Sequence, residues 1–423
     1  MTTTTWKTPS STEISELFQH ATKVVDTIDY LADEDSRKKA LTTAQSLVAA
    51  LQRPEDVVMR YAWENGSQRM SLRLGVDLGI FHILVDNNGK PVSATEIAAQ
   101  SKAEELLIVR IMRVLTAVGF ATEADVQSYV ATPLTQAITK PSLEAAVKIC
   151  HDNSARIQMK MHEYFRLKEY VCPTDSLDCA FQWTFDTEIS YFEHIHNDAE
   201  RMKDFNTFMS GNRVNRKHWI DWFPVEAEIF SGSSGTTEDV LLVDVGGSKG
   251  HDLERFLGKY PTSKGRLVLQ DLPGVLENVK GLNEGIKTMS HDFFTPQPIK
   301  DKSTYTPNGR SLLIFLGARV YYTHFVLHDW PDDKCRDILR HLMTAMTPGY
   351  SKILLDESIL PDMGCPSSLA AGDINMMSIM AGKERSRRQW LELLHSVGLR
   401  LIRVRTSPDS GDAEGIIEAM LSV

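Results

Sequence analysis

The segment Val243-Asp244-Val245-Gly246-Gly247-Ser248-Lys249-Gly250 decides the fold that we predict for this chain. An apolar run ends there in a glycine-rich turn, and the residues that follow, HDLERFLGKY, have the apolar spacing of a helix. Such a turn lets the backbone approach a ligand closely, and the N-terminus of the following helix favours a negative group such as a carboxylate. The glycines at the first, second and fifth positions do not match the G-x-G-x-x-G of nicotinamide enzymes or the phosphate loop G-x-x-x-x-G-K-S/T. The segment therefore predicts a ligand-binding turn of another class, with a purely structural tight turn as the alternative.

Downstream of Asp239, short apolar runs alternate with helical segments. The apolar runs are VLLVDVGG, RLVLQDL, IKTMSHDFF, ARVYYTHFVLHDW and SKILLDESIL. Continuous apolar runs of this kind are typical of strands that are buried on both faces. The pattern predicts an α/β domain with a Rossmann-like, doubly wound, mostly parallel sheet, and the closing segments GLRLIRVRTS and AEGIIEAMLSV predict a hairpin at its edge.

The N-terminal part of the chain has the apolar spacing of helices, first around Leu17 and Ala21 and again over residues 40–51. Three short helical segments and a strand-turn-strand piece follow, with Ser93 or Thr95 as N-caps and Gly119 as a left-handed C-cap. This order predicts a winged helix. Residues 73–138 hold five Lys or Arg against seven Asp or Glu, so we expect a packing or dimer surface there rather than a DNA-binding one.

Composition limits the classes of protein to consider. A chain of 423 residues with 42% hydrophobic and 24% charged residues is typical of two globular domains. Its net charge of −10 disfavours nucleic acid as a partner. Five scattered cysteines without a C-x-x-C pair suggest reduced thiols, and we found no leader-like N-terminus or membrane-length apolar run. We therefore expect a cytoplasmic protein that has no membrane partner.

Carboxylates follow the predicted strands. Asp244 lies at the end of the first strand, where it would repel a diphosphate but suit an ammonium or sulfonium group. Asp271 ends the second strand, at the place where dinucleotide folds bind ribose hydroxyls. Asp292, beside Phe293, could bind an adenine amino group, although a turn residue is the more common role.

His328 follows the predicted strand ARVYY, and ligands of such sheets lie beyond the carboxyl ends of the strands. An ordinary histidine, with a pKa of about 6.5, can take the proton of a phenol whose pKa is about 10. Asp329 is expected on the acceptor side. The spacing of His324 and His328 also permits a zinc site, but Phe325 stands where a metalloprotease has Glu and we saw no third ligand, so we predict no metal.

Several motifs together resemble fungal and plant O-methyltransferases of the caffeate and flavonoid type, a class I, cation-independent family that uses S-adenosylmethionine. They are VDVGGSKG, Asp271, His291-Asp292-Phe293, ARVYY, LHDWPDDKCRDIL, LLDESILP and AGKERSRRQWLELLHSVGLRL. The resemblance covers roughly residues 40–423. It implies a winged-helix dimerisation domain over 1–140, a helical linker that lines the substrate site over 141–225, and a Rossmann-like domain that binds S-adenosylmethionine over 226–423.

The resemblance also implies roles for single residues. His328 would be the base, Glu357 and Glu384 would orient it, and Met209 would lie near the acceptor ring. The residues expected to contact the cofactor, by resemblance or from the turn itself, are Asp244, Gly246, Gly247, Gly250, Asp271, Asp292, Phe293 and Arg319. A homodimer that methylates a hydroxyl of a small aromatic or polyketide-type secondary metabolite is the expected protein.

Two questions stay open at this point. Residues 301–316 form an insertion that the family usually lacks, without helical or strand periodicity, which we interpret as a surface loop or a gene-model error rather than a lid. The alternative function is a pericyclase or cyclase on the same fold that binds the cofactor without methyl transfer. The intact pair of His328 and Asp329 favours methyl transfer over this alternative and over a DNA-binding regulator.

Overall fold

The computed structural model describes residues 10–27, 34–211, 217–233, 239–264, 266–300, 302–305, 311–315, 317–407 and 414–422. The chain divides into two compact units. They are Met1–Asp152 with Lys203–Val214, and Asn153–Met202 with Asn215–Val423. The structure thus divides the segment 141–225, which we predicted as one linker, between the two units.

The first unit is helical. Its elements are helices α1 (Ser11–Thr27), α2 (Glu34–Leu51), α3 (Pro54–Met59), α4 (Asn65–Asp77), α5 (Ile80–Asp86), α6 (Ala94–Ser101), α7 (Glu105–Ala117), α8 (Pro133–Ile138) and α9 (Pro141–Ile149), with strands β1 (Val92–Ser93), β2 (Thr122–Asp125) and β3 (Ser128–Val130). The strands pair in the order β1-β3-β2. The succession α5, α6, α7 and then a hairpin is the predicted winged helix.

Local sequence determines where the helices of this unit begin and end. Ser93 caps α6, because its hydroxyl accepts the N–H of Glu96 while the Glu96 carboxylate accepts the N–H of Ser93 at 2.8 Å. Gly119, at φ +82°, follows the end of α7 and adopts a backbone conformation that favours glycine. The predictions for Ser93 and Gly119 are confirmed, whereas Thr95 lies inside α6 and is not its N-cap. Ile108, Ile111 and Leu115 lie on the buried face of α7, since they recur at helical spacing.

The second unit holds helices and one large sheet. The helices are α10 (Arg156–Leu167), α11 (Ala180–Phe185), α12 (Tyr191–His196), the start of α13 (Ala199–Gly211), α14 (Trp219–Trp222), α15 (His251–Lys259), α16 (Pro273–Leu276), α17 (Asp332–Met343), α18 (Ser367–Met380) and α19 (Arg387–Ser396). The strands are β4 (Leu242–Val245), β5 (Leu267–Asp271), β6 (Ile286–Ser290), β7 (Lys302–Tyr305), β8 (Ser311–Phe315), β9 (Val320–His324), β10 (Lys352–Leu360), β11 (Arg385–Ser386), β12 (Leu399–Thr406) and β13 (Glu414–Leu421).

The sheet has the order β12-β13-β10-β9-β4-β5-β6, and β11 pairs with β10. Strands β6, β5, β4, β9 and β10 run parallel, whereas β13 pairs antiparallel with both of its neighbours, β10 and β12. This is the predicted doubly wound sheet with an edge hairpin. The chain first extends the sheet from β4 to one side and then returns to add β9 on the other side, so the strand order reverses next to β4.

Alternate residues of the strands face the two cores of this unit. Val243, Tyr321 and Ile353 face a core that α17 and α19 cover. Leu242, Tyr322 and Leu354 face the other core, where Trp219 stacks on Tyr322 with ring centroids 5.0 Å apart. Burial on both faces explains why the strands contain continuous apolar runs.

Residues 301–316 differ from what we expected. Their described parts, β7 and β8, pair with each other as an antiparallel hairpin. The insertion therefore has strand structure that its composition did not predict. Residues 302–305 and 311–315 form a sheet of their own, so the main sheet is built without them.

Among the described residues, every helix is too short or too polar to span a lipid bilayer.

Candidate active site

The reversal of strand order between β4 and β9 defines the place where a ligand is expected. Connections leave the two neighbouring strands in opposite directions, which opens a crevice at the carboxyl ends. Gly246 follows β4 directly, and His328 lies four residues after the end of β9. The predicted glycine turn and the predicted base therefore meet at one edge of the sheet, where the strands have their carboxyl ends.

The glycine turn is closely packed. A Cβ atom on Gly247 would lie 2.4 Å from the carboxylate of Asp244, and one on Gly246 would lie 3.1 Å from Val326. Gly246 and Gly250 also have φ angles of +75° and +76°. Side chains at these positions would disturb the turn, and the bare backbone leaves a surface that a ligand can approach. Asp244 is fully buried, with its carboxylate next to Gly247, so its direct contact with a cofactor stays a prediction.

Asp271 ties the glycine turn to the end of β5. One carboxylate oxygen accepts the N–H of Ser248 at 2.8 Å, and the other accepts the N–H of Leu272 at 2.7 Å. Burial raises the pKa of Asp271, whereas the two backbone donors lower it. The side chain is only partly buried, so its oxygens can accept further hydrogen bonds. Its position next to the turn is the one that we predicted for a ribose acceptor.

Phe293 also lies at the turn, since its ring is 3.6 Å from the place of a Cβ on Gly246. It packs edge-on against Trp330, with ring centroids 6.1 Å apart. Asp292 is exposed, and its carboxylate accepts the N–H of Phe294 at 2.9 Å, as in a turn. An aromatic wall next to the glycine turn is therefore present, while adenine recognition by Asp292 stays a prediction.

Arg319 requires a correction. It precedes β9, and because Val320 pairs with Leu242, it lies at the amino edge of the sheet. Five residues of strand, at roughly 3.3 Å each, separate it from the carboxyl edge by about 16 Å. Its guanidinium is buried and donates to the carbonyls of Glu228, Ile229, Ser231 and Tyr350. The prediction that Arg319 contacts the cofactor is wrong; the side chain holds backbone segments together instead.

His328 is surrounded by carboxylates. Its Nδ1 lies 2.8 Å from Glu384 Oε1, and its Nε2 lies 3.2 Å from Asp329 Oδ1. The third carboxylate, Glu357, is fully buried on β10 and accepts the N–H of Leu327 at 2.9 Å. The structure thus brings together the residues predicted for acid-base chemistry, although the hydrogen bond of Glu357 goes to the turn that carries His328 rather than to the ring itself.

The carboxylates determine the protonation of His328. Burial lowers its pKa, but the charge of Asp329, the hydrogen bond to Glu384 and the charge of Glu357 raise it, to about 10. Burial raises the pKa of Glu357 and of Asp329, and the proximity of His328 lowers both. When no other cation is near, the imidazole of His328 therefore carries the proton, rather than one of the three carboxyl groups around it.

Two residues that we did not predict fix this turn. Arg385 is fully buried, and its guanidinium donates to the carbonyls of Leu327 at 3.0 Å and Trp330 at 2.9 Å. Asp373 accepts the N–H of Glu384 at 3.0 Å. Arg385 lies in the same motif as Glu384, but its role was not predicted, because it is the packing of α18 and β11 that brings both residues close to His328.

His324 belongs to a second polar group. Its Nδ1 lies 2.8 Å from a carboxylate oxygen of Asp252. One ring nitrogen of His324 and one carboxylate oxygen each of Asp356 and Glu414 lie within 4.8 Å of one another. The sequence argument missed these two acidic residues. Asp356 also accepts a hydrogen bond from the hydroxyl of Tyr322 at 2.9 Å. One of its carboxylate oxygens is therefore already hydrogen-bonded within the protein.

Met209 lies in the part of α13 that belongs to the first unit and is 41% exposed. Its place near the acceptor ring stays a prediction. Two aromatic residues upstream of α13, Phe181 and Tyr191, are buried in the second unit, with ring centroids 5.5 Å apart, so they belong to its core.

Comparisons with known proteins agree with the arrangement. Residues 314–400 match the model of an O-methyltransferase domain, and residues 66–141 match that of an O-methyltransferase dimerisation domain. The chain is 41% identical to the O-methyltransferase asqD of Emericella nidulans over 352 residues, which are 83% of this chain and 86% of that protein. It is 36% identical to the O-methyltransferase penC of Penicillium thymicola over 92% of both chains.

Solved structures show the same fold. The structure of a LepI variant in complex with SAH and a substrate analogue is similar with a TM-score of 0.80 and 29% identity, over 96% of this chain and 100% of that one. A structure described as a pericyclic reaction enzyme is similar with a TM-score of 0.79 and 28% identity, over the same shares of the two chains. Both likenesses extend over both predicted domains.

Proposed function

The chain belongs to the O-methyltransferase family, and on that premise we propose that it methylates a hydroxyl of a small aromatic or polyketide-type secondary metabolite with S-adenosylmethionine, using His328 as general base. The observation that carries the proposal is the position of His328. It is held by Glu384 at 2.8 Å, at the same edge of the sheet as the glycine turn. General bases need such an oriented imidazole close to the ligand.

The residues at the turn fit an adenosyl cofactor. The backbone of Gly246 and Gly247 forms a surface that side chains would fill, and Asp271 offers carboxylate oxygens for ribose hydroxyls. Phe293 provides an aromatic wall. When bound, the cofactor supplies a methyl group on a positively charged sulfur. Asp244, Gly250 and Asp292 are the further residues that we propose for its binding.

His328 then acts on the acceptor. Glu384 at Nδ1 fixes the tautomer, so Nε2 is the nitrogen that takes the proton of the acceptor hydroxyl. Asp329 lies 3.2 Å from this nitrogen, so a hydroxyl bound at Nε2 would also be within reach of the Asp329 carboxylate. Asp329 therefore positions the acceptor, and Glu357 holds the turn by accepting the N–H of Leu327. Removing the proton as attack proceeds makes the acceptor oxygen nucleophilic.

We propose that the protein is a homodimer. The first unit contains the match to the dimerisation domain and carries large apolar side chains that are mostly exposed. They include Val58, Met59, Tyr61 and Trp63. Large apolar side chains that are exposed close together in one short segment are typical of interaction surfaces. Cytoplasmic location and the lack of a nucleic-acid partner stay predictions.

A pericyclase or cyclase is the second candidate function. It is favoured by the likeness to the pericyclic reaction enzyme and disfavoured by the intact pair of His328 and Asp329. In that function the cofactor would contribute its charge, and no methyl group would leave it.

Labelled cofactor separates the two candidates. We expect that incubation with methyl-labelled S-adenosylmethionine and a panel of phenols and hydroxylated polyketides places the label in one acceptor, with an equal amount of S-adenosylhomocysteine formed. Mass spectrometry of the products measures both. Conversion of a substrate that needs the cofactor but leaves its label in place would establish the second function instead.

Binding of the cofactor is expected to release a proton. The three carboxylates keep His328 protonated in the ligand-free protein, and a cationic ligand lowers the pKa of a nearby imidazole. His328 must be neutral to accept a proton. Activity therefore falls as the pH drops below the pKa that its imidazole has when the cofactor is bound. At about pH 8 we expect more proton release with S-adenosylmethionine than with S-adenosylhomocysteine, whose sulfur carries no charge. Calorimetry in buffers of different ionisation enthalpy measures the release. In the variant His328→Gln the two ligands should not differ, and equal release in the parent protein would contradict the expectation.

A further inference from the structure

Phe325 joins the two histidines of the active-site edge. Its ring centroid lies 4.7 Å from that of His324 and 5.2 Å from that of His328, and its plane is within 26° of the His328 imidazole. The ring is partly exposed, so it is not a buried core residue. An aromatic ring that stacks on the predicted base can influence both its orientation and its charge.

The backbone at Phe325 is unusual as well. Its φ is +52°, a left-handed conformation that side chains with a Cβ rarely adopt and that glycine would adopt without strain. Its N–H donates to the carbonyl of Asp356 at 3.0 Å, across from β9 to β10. Strained conformations of this kind persist where the surrounding structure enforces them, and they cluster at functional sites.

We propose that Phe325 is a positioning residue for His328: its ring fixes the plane of the imidazole, and its π face stabilises the ring when it carries a proton. The inference rests on the proposed function. Glu384 and Asp329 contact the imidazole at the edge of its ring, through the two nitrogens, and a flat surface against the face of the ring adds a restraint on its tilt that these contacts do not supply. The Phe325 ring, nearly parallel to the imidazole, is such a surface.

The charged groups that face His328 are Asp329 from its own turn, Glu357 from β10 and Glu384 from the segment after α18. A substitution at Phe325 leaves all three in place. Cations over an aromatic ring within about 6 Å of its centroid are stabilised, and the energies observed at exposed sites correspond to a pKa change of about 0.4 to 0.7 unit. Loss of the ring should therefore lower the pKa of His328 by that amount.

The variants Phe325→Leu and Phe325→Tyr test the proposal. Leucine removes the ring and tyrosine keeps it, while both carry a Cβ at the same strained φ. We expect the NMR titration of the His328 imidazole in the ligand-free protein to shift to lower pH by about 0.4 to 0.7 unit in the leucine variant and to stay unchanged in the tyrosine variant. With a methylatable acceptor, kcat should fall about tenfold for leucine only, with the KM for the cofactor unchanged.

The titration is independent of methyl transfer, so the positioning role and the proposed function can fail separately. A titration in Phe325→Leu that coincides with that of the parent protein, or a shift of equal size in Phe325→Tyr, would overturn the proposal. A third variant, Phe325→Gly, relieves the backbone strain and removes the ring. It should show the leucine shift without loss of thermal stability, whereas a parent-like titration in a stable glycine variant would likewise overturn the role of the ring.

Discussion

Replacing His328 by glutamine is expected to lower kcat for methyl transfer by about 100- to 10,000-fold. Glutamine keeps a polar side chain of similar reach but cannot take a proton from the acceptor. The three carboxylates around the position remain, and without the imidazolium they repel the deprotonating acceptor rather than assist it. Single-turnover measurements with a methylatable phenol give the rate of the chemical step.

The control for this variant is His395→Gln. His395 is exposed in the last turn of α19, so its loss should change neither kcat nor thermal stability. Binding of S-adenosylhomocysteine to the His328→Gln protein should persist, because the glycine turn and Asp271 are intact. A chemical step that is as fast in His328→Gln as in the parent protein would remove His328 from the role of base.

Replacing Asp271 by alanine is expected to weaken the binding of S-adenosylhomocysteine by about 100-fold. The carboxylate is proposed to bind ribose hydroxyls, and hydrogen bonds to charged groups contribute roughly 1.5 to 3 kcal/mol each. The substitution also leaves the N–H of Ser248 without its acceptor, which loosens the glycine turn. Titration calorimetry measures the dissociation constant.

Asp337→Ala is the matched control for Asp271→Ala. Asp337 pairs with Arg340 on the exposed face of α17, and exposed pairs of this kind contribute little. We expect the parent dissociation constant for this variant. If Asp271→Ala also bound the ligand with parent affinity, the carboxylate at the end of β5 would have no part in cofactor recognition.

Much of the fold could be predicted because apolar runs and turn residues are local signals. The run before Gly246 became β4, and Asp271 ends β5 as its position in the sequence indicates. Ser93 and Gly119 determined helix ends through their own chemistry. The hairpin of β7 and β8 was missed, because strands that pair only with each other need no alternation of apolar residues toward a core.

The site could be predicted only in part. His328, Glu357 and Glu384 were found through a motif, whereas Arg319 was assigned to the wrong end of its strand. A motif identifies a residue, but it does not show how the strand next to that residue pairs in the sheet. This pairing decides at which end of the strands the residue lies. Arg385 was missed because its carbonyl partners, such as that of Leu327, lie more than fifty residues away in the sequence.

The buried guanidinium of Arg319 stabilises the fold at the end of the sheet that lies opposite the candidate active site. It clamps four carbonyls at one rim of the sheet, while the glycine turn and the imidazole occupy the opposite rim. Residues that face the acceptor can therefore change, and with them the molecules that bind there, while the hydrogen bonds of Arg319 that stabilise the fold are retained. New specificities can arise on this architecture by change at one rim alone.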